Sequence, residues 1–576
     1  MRFGLFYELQ LPRPWQPDGE EKLLREALEQ IELADRLGFD FVWEVEHHFL
    51  EEYSHSSAPE IFLAAASQRT KRIRLGHGIV QLPPIVNHPA RVAERIATLD
   101  LVSGGRVEFG TGQGSSQVEL GGFGVDRELK ERQWEEMLDV IVRMMTEEPF
   151  SGHQGRFLSM PPRNVIPKPK QRPHPPLWLA CSRRETILQA ARKGMGALSF
   201  SFVEPEQAKN WVDEYYALIA GPECVPAGLA VNANVAVVLP FLCHQDEQTA
   251  IDRGIDGAQF FGFSLAYYYV FGKHQPGLSD LWHAFQTQRN DFGFARELVH
   301  SDASPLGLKL IEHGLGSFRG AIGTPQQIAE LLDRYERTGV DLVVLAAQVG
   351  HNRHAHICES MELFATEVMP HFAARAAARE AEKSLRLAAA MARALERRNE
   401  PRRAIAPDYA ITPRGEPGPT AALRLSAANG PAGFTRSKRL SIRAGRALLV
   451  WLVRGRSEWQ LERMAPFLVP MIFKIMQQAF RPERAQGFAG QIEFKLHANG
   501  HVRAWVIEIA NGTALVKKGP SRNARIAVSM SVSTFARISA ELLEPLTAVV
   551  EGKLTAQGDL RMLNGLTEMF GGPTRY

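Results

Sequence analysis

The stretch FDFVWEVEHHFLEEY, residues 39–53, decides the fold. Its first part, Phe39 to Trp43, is dominated by aromatic and β-branched side chains, which is typical of a buried strand. Glu46, His47 and His48 follow almost at once. The stretch therefore predicts a buried strand whose carboxyl end carries ionisable groups.

Similar short apolar runs alternate with helical patterns through residue 372. The helical pattern from Leu23 to Leu37 carries one apolar stripe, and Gly38 suits a left-handed cap at its end. Alternating strands and helices predict parallel strands with helical crossovers, and about eight strands over this length favour a closed (β/α)8 TIM barrel. In such a barrel the binding groups lie at the carboxyl ends of the strands.

The composition limits the class of protein. The chain has 576 residues, of which 45% are hydrophobic, and a formal net charge of +3. The length predicts two folded units, and the small charge argues against a nucleic-acid-binding protein. The four cysteines lack CxxC pairing, so neither a disulfide framework nor a zinc site is indicated. Without a signal-peptide pattern or an apolar run of about 20 residues, we expect a cytoplasmic protein with no transmembrane segment.

The character of the sequence changes after residue 372. Residues 373–439 begin as an Ala/Arg-rich helical tract and continue as a basic linker rich in Pro and Gly. The linker is either simply solvated or a docking arm for an acidic partner or anionic lipid headgroups. A helix predicted from Glu458 to Ala479 and the alternating strands beyond it indicate a compact α+β module over residues 440–576.

The two adjacent histidines are candidates for acid–base chemistry. Neighbouring side chains on a strand point to opposite faces, so His47 and His48 cannot both face the barrel interior. An imidazole has a pKa near neutrality and suits proton transfer to or from a bound cofactor. A structural role is the alternative for either ring.

Two further patterns are less specific. The glycines of residues 110–114 alternate and do not form GxGxxG, so we expect no Rossmann site. They allow either a close backbone approach to a flat ligand or a simple turn. His351, His354 and His356 are irregularly spaced with few acidic neighbours, and we predict no metal site there.

A helix begins after the apolar run PLWLAC, residues 176–181. Unpaired backbone N–H groups, the hydroxyls of Ser182 and Thr186, and the guanidinium of Arg183 make an anion cradle at such a helix start. The alternative is a capping box formed by Ser182 and Glu185. The sequence leaves both interpretations open.

The first part of the chain, from Met1 to about Phe372, resembles the bacterial luciferase-like flavin-dependent monooxygenases. The matching blocks are GFDFVWEVEHHF, LPPIVNHPARVAERIATLDLVSGGRVEFGTG, IGTPQQIAELLDRYERTGVDLVVLAA and SMELFATEVMPHF. The resemblance implies a TIM barrel that binds reduced FMN, reacts it with dioxygen and oxygenates a hydrophobic organic substrate. We also expect a separate flavin reductase and a homodimer. The alternatives are a deazaflavin-dependent oxidoreductase that transfers hydride without dioxygen and a non-catalytic lipid-binding scaffold.

Within this resemblance, His47 corresponds to the family's catalytic histidine beside the flavin. Gly78 and Ile79 fall where the family often has a non-prolyl cis peptide and a strand bulge under the flavin ring. The cofactor-binding positions that the resemblance implies are Glu46, Gly78, Ile79, Gly112, Gln113, Ser182, Arg183 and Thr186.

One position departs from the family. Gln113 stands where the family often has an arginine at the end of the glycine-rich strand. A neutral amide can hydrogen-bond to a phosphate but brings no charge. We therefore predict that Arg183 or Arg184 compensates.

Residues 254–319 lie where this family inserts a mobile lid. Their aromatic density indicates either a wall for a large apolar substrate or a packed insertion with its own small core. The candidate substrate residues are Phe260, Phe263, Tyr267 and Tyr268.

The last part of the chain, from about Leu440 to Tyr576, resembles the sterol carrier protein lipid-binding domain. The matching segments are GQIEFKLHANGHVRAWVIEIANG, SVSTFARISA and VVEGKLTAQGDL. Such domains enclose an apolar tunnel for lipids. The fusion therefore implies that this module delivers a lipophilic substrate to the barrel.

Overall fold

The structure is a computed structural model in which two compact units, Met1–Ala427 and Ala428–Tyr576, are separated. The described residues are 1–200, 205–291, 294, 308–309, 317–398, 405, 409–411, 448–480, 490–498, 500–510, 513–540, 542–543, 548 and 552–558. The chain therefore has the two folded units predicted from its length.

Parallel strands form a closed barrel in the first unit. They are β1 Arg2–Tyr7, β2 Phe41–Glu44, β3 Arg74–His77, β4 Val107–Gly112, β5 Leu177–Cys181, β6 Gly196–Ser199, β7 Val235–Cys243 and β8 Leu342–Gln348. Each strand pairs with the next, and β8 pairs with β1. The predicted (β/α)8 barrel is confirmed. Short strands outside the ring are Val80–Gln81, His153–Gln154, Ser159–Met160, Leu308–Lys309, Ser317–Phe318 and Ala321–Gly323.

Helices cover the outside of this barrel. They are α1 Gly19–Leu37, α2 Pro59–Arg69, α3 Pro89–Val102, α4 Gln117–Phe123, α5 Lys130–Thr146, α6 Arg184–Arg192, α7 Pro205–Ala220, α8 Glu247–Ala266, α9 Leu281–Gln288, α10 Pro325–Arg337, α11 His354–Glu367 and α12 Met369–Arg397. A 3-10 turn, Glu51–Tyr53, and a π-helix, Tyr267–Phe271, lie among them. Gly38 ends α1 in the left-handed conformation, as the sequence predicts.

Strand β2 shows why the stretch at residues 39–53 folds as it does. Phe41 and Trp43 point into the barrel, where Trp43 meets Trp178 at a ring distance of 5.2 Å. Val42 points outward and packs against the helices. Both faces of a parallel barrel strand are covered, so a continuous apolar run is stable there. The strand ends at Glu44, where the polar residues begin.

Helix α12 falls within the first unit. The sequence predicts a helical tract and linker over residues 373–439, and α12 packs against the barrel. Lys383 lies 2.8 Å from Asp341, and Arg379 lies 2.8 Å from Glu336. These two basic residues of the tract are therefore ion-paired with the barrel. The rest of the predicted linker lies almost entirely outside the described residues.

The second unit is an α+β module with a mixed sheet. Its strands are β9 Gly490–Ala498, β10 His501–Ala510, β11 Thr513–Lys518, β12 Ala524–Ser531 and β13 Leu554–Gly558, in the spatial order β11-β10-β9-β12-β13. Its helices are α13 Glu458–Arg463, α14 Ala465–Ala479 and α15 Val532–Ser539. Across the described ranges of both units, no helix is long and apolar enough to cross a membrane.

The single helix predicted from Glu458 to Ala479 is two helices. The break falls at Met464, and Pro466 lies in the first turn of α14. Proline has no N–H to donate, and the first turn of a helix needs none there, so Pro466 suits the start of a new helix. α14 packs Phe473 against Trp505 at a ring distance of 4.8 Å, which joins the helix to the sheet.

Candidate active site at the carboxyl ends of the barrel strands

His47 lies at the mouth of the barrel, just beyond β2. Its backbone N–H donates to the carbonyl oxygen of Ser56 at 2.8 Å, which fixes the chain where it leaves the strand. The side chain is 17% exposed, so the ring is largely buried but still reachable. On β1, Phe6 points into the barrel, and the alternation of a strand puts Glu8 on the same side. His47 and Glu8 meet there.

Two buried carboxylates hold the His47 ring. Nδ1 lies 3.1 Å from Oε1 of Glu119, and Nε2 lies 3.6 Å from Oε2 of Glu8. The Tyr53 hydroxyl donates to Oε1 of Glu8 at 2.9 Å, and the Gln81 amide donates to Oε1 of Glu119 at 2.8 Å. Each ring nitrogen therefore faces one carboxylate. No sequence pattern marks Glu8 or Glu119 as a site residue.

These carboxylates change the acid–base properties of His47. Burial lowers the pKa of the ring, but Glu119 and Glu8 outweigh it, with a smaller effect of Glu46, and the pKa rises to about 9. Burial raises the pKa of Glu8 to about 7 against the opposing effects of His47 and Tyr53. Near neutral pH, His47 is therefore a protonated imidazolium.

Glu46 and His48 form a second group beside His47. The backbone N–H of Gln81 donates to Glu46 Oε2 at 2.9 Å, and the Asn87 amide donates to Oε1 at 2.7 Å. His48 Nε2 lies 3.2 Å from the same Oε1, and its ring packs edge-on against Phe123. Protein groups thus engage both oxygens of Glu46. The family resemblance implies that Glu46 binds the cofactor. In the structure its carboxyl group contacts Gln81, Asn87 and His48.

The chain bulges at residues 78–79, after β3. Gly76 pairs with Glu108, and Val80 pairs with Thr111. Three residues (77–79) on one strand therefore oppose two (109–110) on the other, which defines a bulge. The strand bulge expected at Gly78 and Ile79 is present.

The non-prolyl cis peptide expected at Gly78 and Ile79 is absent from the structure. Every cis peptide bond among the described residues precedes a proline, so the bulge accommodates the extra residue with trans bonds. A Cβ placed on Gly112 would lie 2.6 Å from Cδ1 of Ile79, so any larger residue would require the Ile79 side chain to move. Gln113 follows directly and is partly exposed.

Helix α6 starts with Arg184, and Arg183 is its N-cap residue. The Thr186 hydroxyl donates to the carbonyl oxygen of Arg183 at 2.8 Å and accepts the Arg183 N–H at 3.4 Å. The alternative of a capping box formed by Ser182 and Glu185 is therefore wrong, because the helix begins one residue later. Ser182 and Arg183 are exposed beside the free N–H groups of the first turn.

Lys130 is a cation that the sequence patterns did not indicate. Its Nζ donates to the carbonyl oxygen of Gly114 at 2.5 Å, just beyond β4. Burial lowers its pKa, and nearby arginines, Arg183 among them, add to the effect. Arg184 instead donates to both carboxylate oxygens of Glu214, at 2.8 and 2.6 Å. Two arginines were predicted to compensate for Gln113. Arg183 acts on the pKa of Lys130, whereas Arg184 is paired with Glu214.

Phe260 and Phe263 belong to the core of the aromatic insertion. Both are buried, and their rings lie 5.7 and 5.6 Å from that of Phe285 on α9. The packed-insertion alternative therefore describes these two residues better than a substrate wall does. They were predicted as substrate residues, and the structure gives them a supporting position.

The π-helix Tyr267–Phe271 lies closer to the mouth. The Tyr267 hydroxyl donates to the carbonyl oxygen of Lys273 at 2.7 Å and so closes a local turn. The Tyr268 ring lies 6.2 Å from that of Tyr53, which links the insertion to the carboxyl groups around His47. Of the four aromatic residues predicted to contact the substrate, Tyr268 packs against Tyr53, whose hydroxyl donates to Glu8 beside His47.

Tyr269 is a further residue of this mouth. Burial raises its pKa well above the ordinary value, and the carboxylates of Glu119 and Glu8 raise it further. Its hydroxyl also bonds to Ser115. π-helical turns often occur at functional sites. This one brings Tyr269 beside both carboxylates that hold His47.

The histidines near β8 are separate from one another. His354 lies 3.4 Å from Glu29, and the His351 ring packs against Trp282 at 4.4 Å. In the part of the chain that the structure describes, no three His, Cys, Asp or Glu side chains converge to hold a metal ion.

Comparison with known proteins assigns both parts of the chain to families. Residues 1–342 match the luciferase-like monooxygenase family, and residues 473–571 match the SCP-2 sterol transfer family. The 4-hydroxyprotoasukamycin monooxygenase of Streptomyces nodosus subsp. asukaensis is 39% identical over 389 residues, which are 64% of this chain and 92% of that protein.

Two further matches are informative. The oxygenase component of the flavin-dependent trigonelline monooxygenase of Acinetobacter baylyi is 30% identical over 182 residues, 31% of this chain and 49% of that protein. The crystal structure of monooxygenase RslO1 from Streptomyces bottropensis is 24% identical, with a TM-score of 0.50 over 65% of this chain and 100% of that one. The latter is a likeness of fold.

Proposed function

The chain belongs to the luciferase-like monooxygenase family, with a C-terminal domain of the SCP-2 family, and we propose that it is an FMN-dependent monooxygenase. It would use reduced FMN and dioxygen to oxygenate a hydrophobic organic substrate. The observation that carries this proposal is His47, an imidazole at the barrel mouth held between the carboxyl groups of Glu119 and Glu8. A relative described as flavin-dependent supports a flavin over a deazaflavin.

The residues at the ends of β4 and β5 fit FMN. Lys130 and Arg183 supply the positive charge that Gln113 lacks, and the hydroxyl of Ser182 and the first N–H groups of α6 supply donors for a phosphate. Gly112 brings no side chain of its own to the strand end and packs against Ile79, which suits a flat ring. When bound, reduced FMN supplies the electrons for dioxygen activation.

The acid–base work falls to His47. Glu119 holds Nδ1, so the proton available for transfer is the one on Nε2. Tyr268 and Tyr269 lie on the same side and limit the access of water to the mouth. We propose that His47 gives or takes a proton at Nε2 while these rings keep the site dry.

The C-terminal domain bears on the substrate. We propose that it carries a lipophilic molecule and delivers it to the barrel, because it matches the SCP-2 sterol transfer family. We also propose that a separate reductase supplies reduced flavin, a view supported by the description of one relative as an oxygenase component.

The proposal can be tested with the full chain. Reduced FMN is titrated into the protein without oxygen, oxygen is admitted, and the rate of flavin reoxidation is compared with that of free FMN. We expect tight binding, a changed reoxidation rate, and a further change in His47→Ala at equal flavin occupancy. Binding of reduced deazaflavin but not of FMN would move the protein to hydride transfer, and binding of neither would favour a lipid-binding scaffold.

A further inference from the structure

Glu8 is a buried carboxyl with one oxygen unaccounted for. It follows β1 and is 2% exposed. Oε1 accepts the hydrogen bond from Tyr53, but Oε2 has no hydrogen-bond partner among the described residues. Nε2 of His47 lies 3.6 Å from this oxygen. A buried carboxyl oxygen without a hydrogen bond is costly unless a charge or a ligand faces it.

The other side of the ring fixes which nitrogen can exchange its proton. Oε1 of Glu119 already accepts the Gln81 amide and the backbone N–H of His48, at 2.8 and 3.0 Å. An oxygen that already accepts two N–H groups acts as an acceptor towards the ring as well, so Nδ1 of His47 donates to it. The Nδ1 proton is held in place, and Nε2 is the nitrogen whose protonation can vary.

Glu8 and Nε2 attract each other only if a proton lies on one of them. An ionised Glu8 beside an imidazolium and a protonated Glu8 beside a neutral imidazole contain the same number of protons. The remaining charged or titratable groups that act on this ring are Glu46 from beyond β2, Tyr53 from the 3-10 turn and Tyr269 from the π-helix. None of these is placed at Nε2 as Glu8 is.

We infer that Glu8 is a positioning residue that keeps Nε2 of His47 protonated, so that His47 enters each reaction as a proton donor rather than as a base. When Nε2 gives its proton to a ligand at the mouth, the ring becomes a neutral imidazole that keeps the Nδ1 proton. A proton from solvent then restores the imidazolium. The inference deepens the proposed function and rests on it only for the reaction that uses the proton.

The test is a pH titration of the flavin-free chain by NMR. The full chain is labelled at its 18 histidines, and the His47 signal is assigned by its loss in His47→Gln. We expect the wild-type ring to titrate well above the ordinary range of histidine. In Glu8→Gln, which keeps the size of the side chain and an acceptor for Tyr53, the midpoint should fall by about 1 to 3 pH units. Glu8→Asp, which keeps the charge, should restore part of this shift.

The matched control is Glu20→Gln. Glu20 lies 2.8 Å from His55 at the surface, so its removal should leave the His47 midpoint unchanged. The inference is overturned if folded Glu8→Gln titrates at the wild-type midpoint. Because no flavin is present, a shifted midpoint in a protein that fails to bind reduced FMN would sink the proposed function and leave this inference standing.

Discussion

Gly110 and His77 lie so close together that no side chain fits between them. A Cβ placed on Gly110 would overlap the carbonyl oxygen of His77. The bulge after β3 therefore lies directly on β4, while Gly112 packs against the side chain of Ile79 and Gly114 has a left-handed backbone. Packing and backbone conformation thus account for the alternating glycines without a nucleotide fingerprint.

Gly110→Ala should destabilise the barrel unit. The added methyl group meets a backbone oxygen, which cannot rotate away, so β3 and β4 must separate. Overpacking of this kind typically costs about 1 to 3 kcal/mol and occasionally more. The measurement is the free energy of unfolding in urea, followed by the fluorescence of the barrel tryptophans.

Gly121→Ala is the matched control. A Cβ at Gly121, on the exposed face of α4, would meet only the amide nitrogen of Gln117 at an ordinary 3.7 Å. Alanine is favoured over glycine in a helix by about 1 kcal/mol, so this variant should be as stable as the wild type or more stable. Equal destabilisation by the two substitutions would refute the close approach at Gly110.

The barrel was predictable because its signal is local. The apolar run that becomes β2 and the alternation of strand and helix patterns are properties of neighbouring residues. Glu8 and Glu119 are different, since each is an ordinary acidic residue in sequence and acquires a role only where β1 and α4 bring it to His47. The sequence did contain one indication of a site role for Glu8, because this acidic residue directly follows the apolar strand that ends at Tyr7.

The errors have local causes as well. The Ala/Arg-rich tract has the composition of a solvated helix, and only the carboxylates of Glu336 and Asp341 on the barrel reveal that α12 docks. The break between α13 and α14 was visible in Pro466, which the apolar periodicity outweighed. Lys130 was missed because its partner is the backbone carbonyl of Gly114, which no side-chain pattern marks.

Glu52 fastens the aromatic insertion to the barrel mouth. Its buried carboxylate accepts the N–H groups of Leu281 and Trp282, at 2.6 and 3.1 Å, and that of Arg13 at 2.9 Å. In Glu52→Ala these donors lose their buried acceptor, and opening of α9 should become easier by about 2 kcal/mol. Amide hydrogen exchange in residues 281–288 should then be about 30-fold faster by mass spectrometry, provided that α9 opens locally.

Glu21→Ala is the control for the Glu52→Ala substitution. Glu21 has an 80% exposed side chain and faces only Arg25, at 3.7 Å. Its removal should leave exchange in α9 unchanged. If Glu52→Ala exchanges at the wild-type rate, the carboxylate does not hold the insertion.

The stability that His47 contributes should fall as the pH rises. Its pKa in the folded chain, about 9, is above the ordinary value of 6.5, so the folded state binds the extra proton between these values. The contribution is complete below pH 6.5, is lost as the pH rises through 9, and amounts to about 3 kcal/mol. The measurement is the difference in unfolding free energy between wild type and His47→Gln across this range.

His77 provides a contrast of opposite sign. Burial lowers its pKa to about 4, so it opposes folding as the pH falls from 6.5 towards that value. His77→Gln should therefore alter the acid limb of the stability curve and leave the alkaline limb as it is.

The His47 prediction fails if the wild type gains unfolding free energy over His47→Gln as the pH rises. Such a result would contradict the assignment of an imidazolium to His47.

Lys130 and Arg183 should determine the affinity for reduced FMN. If they supply the charge that Gln113 lacks, Lys130→Met and Arg183→Met should each weaken binding about 10- to 100-fold, the effect of losing one charge-assisted hydrogen bond to the phosphate. The measurement is anaerobic ultrafiltration of the full chain with reduced FMN.

Arg184→Met separates this effect from a general loss of positive charge. Both carboxylate oxygens of Glu214 already engage Arg184, so its removal should leave the affinity within about twofold of wild type. Similar losses in all three variants would indicate that only the overall field of the helix start matters. Unchanged affinity in both Lys130→Met and Arg183→Met would place the phosphate elsewhere and remove the reason for assigning β4 and β5 to the cofactor.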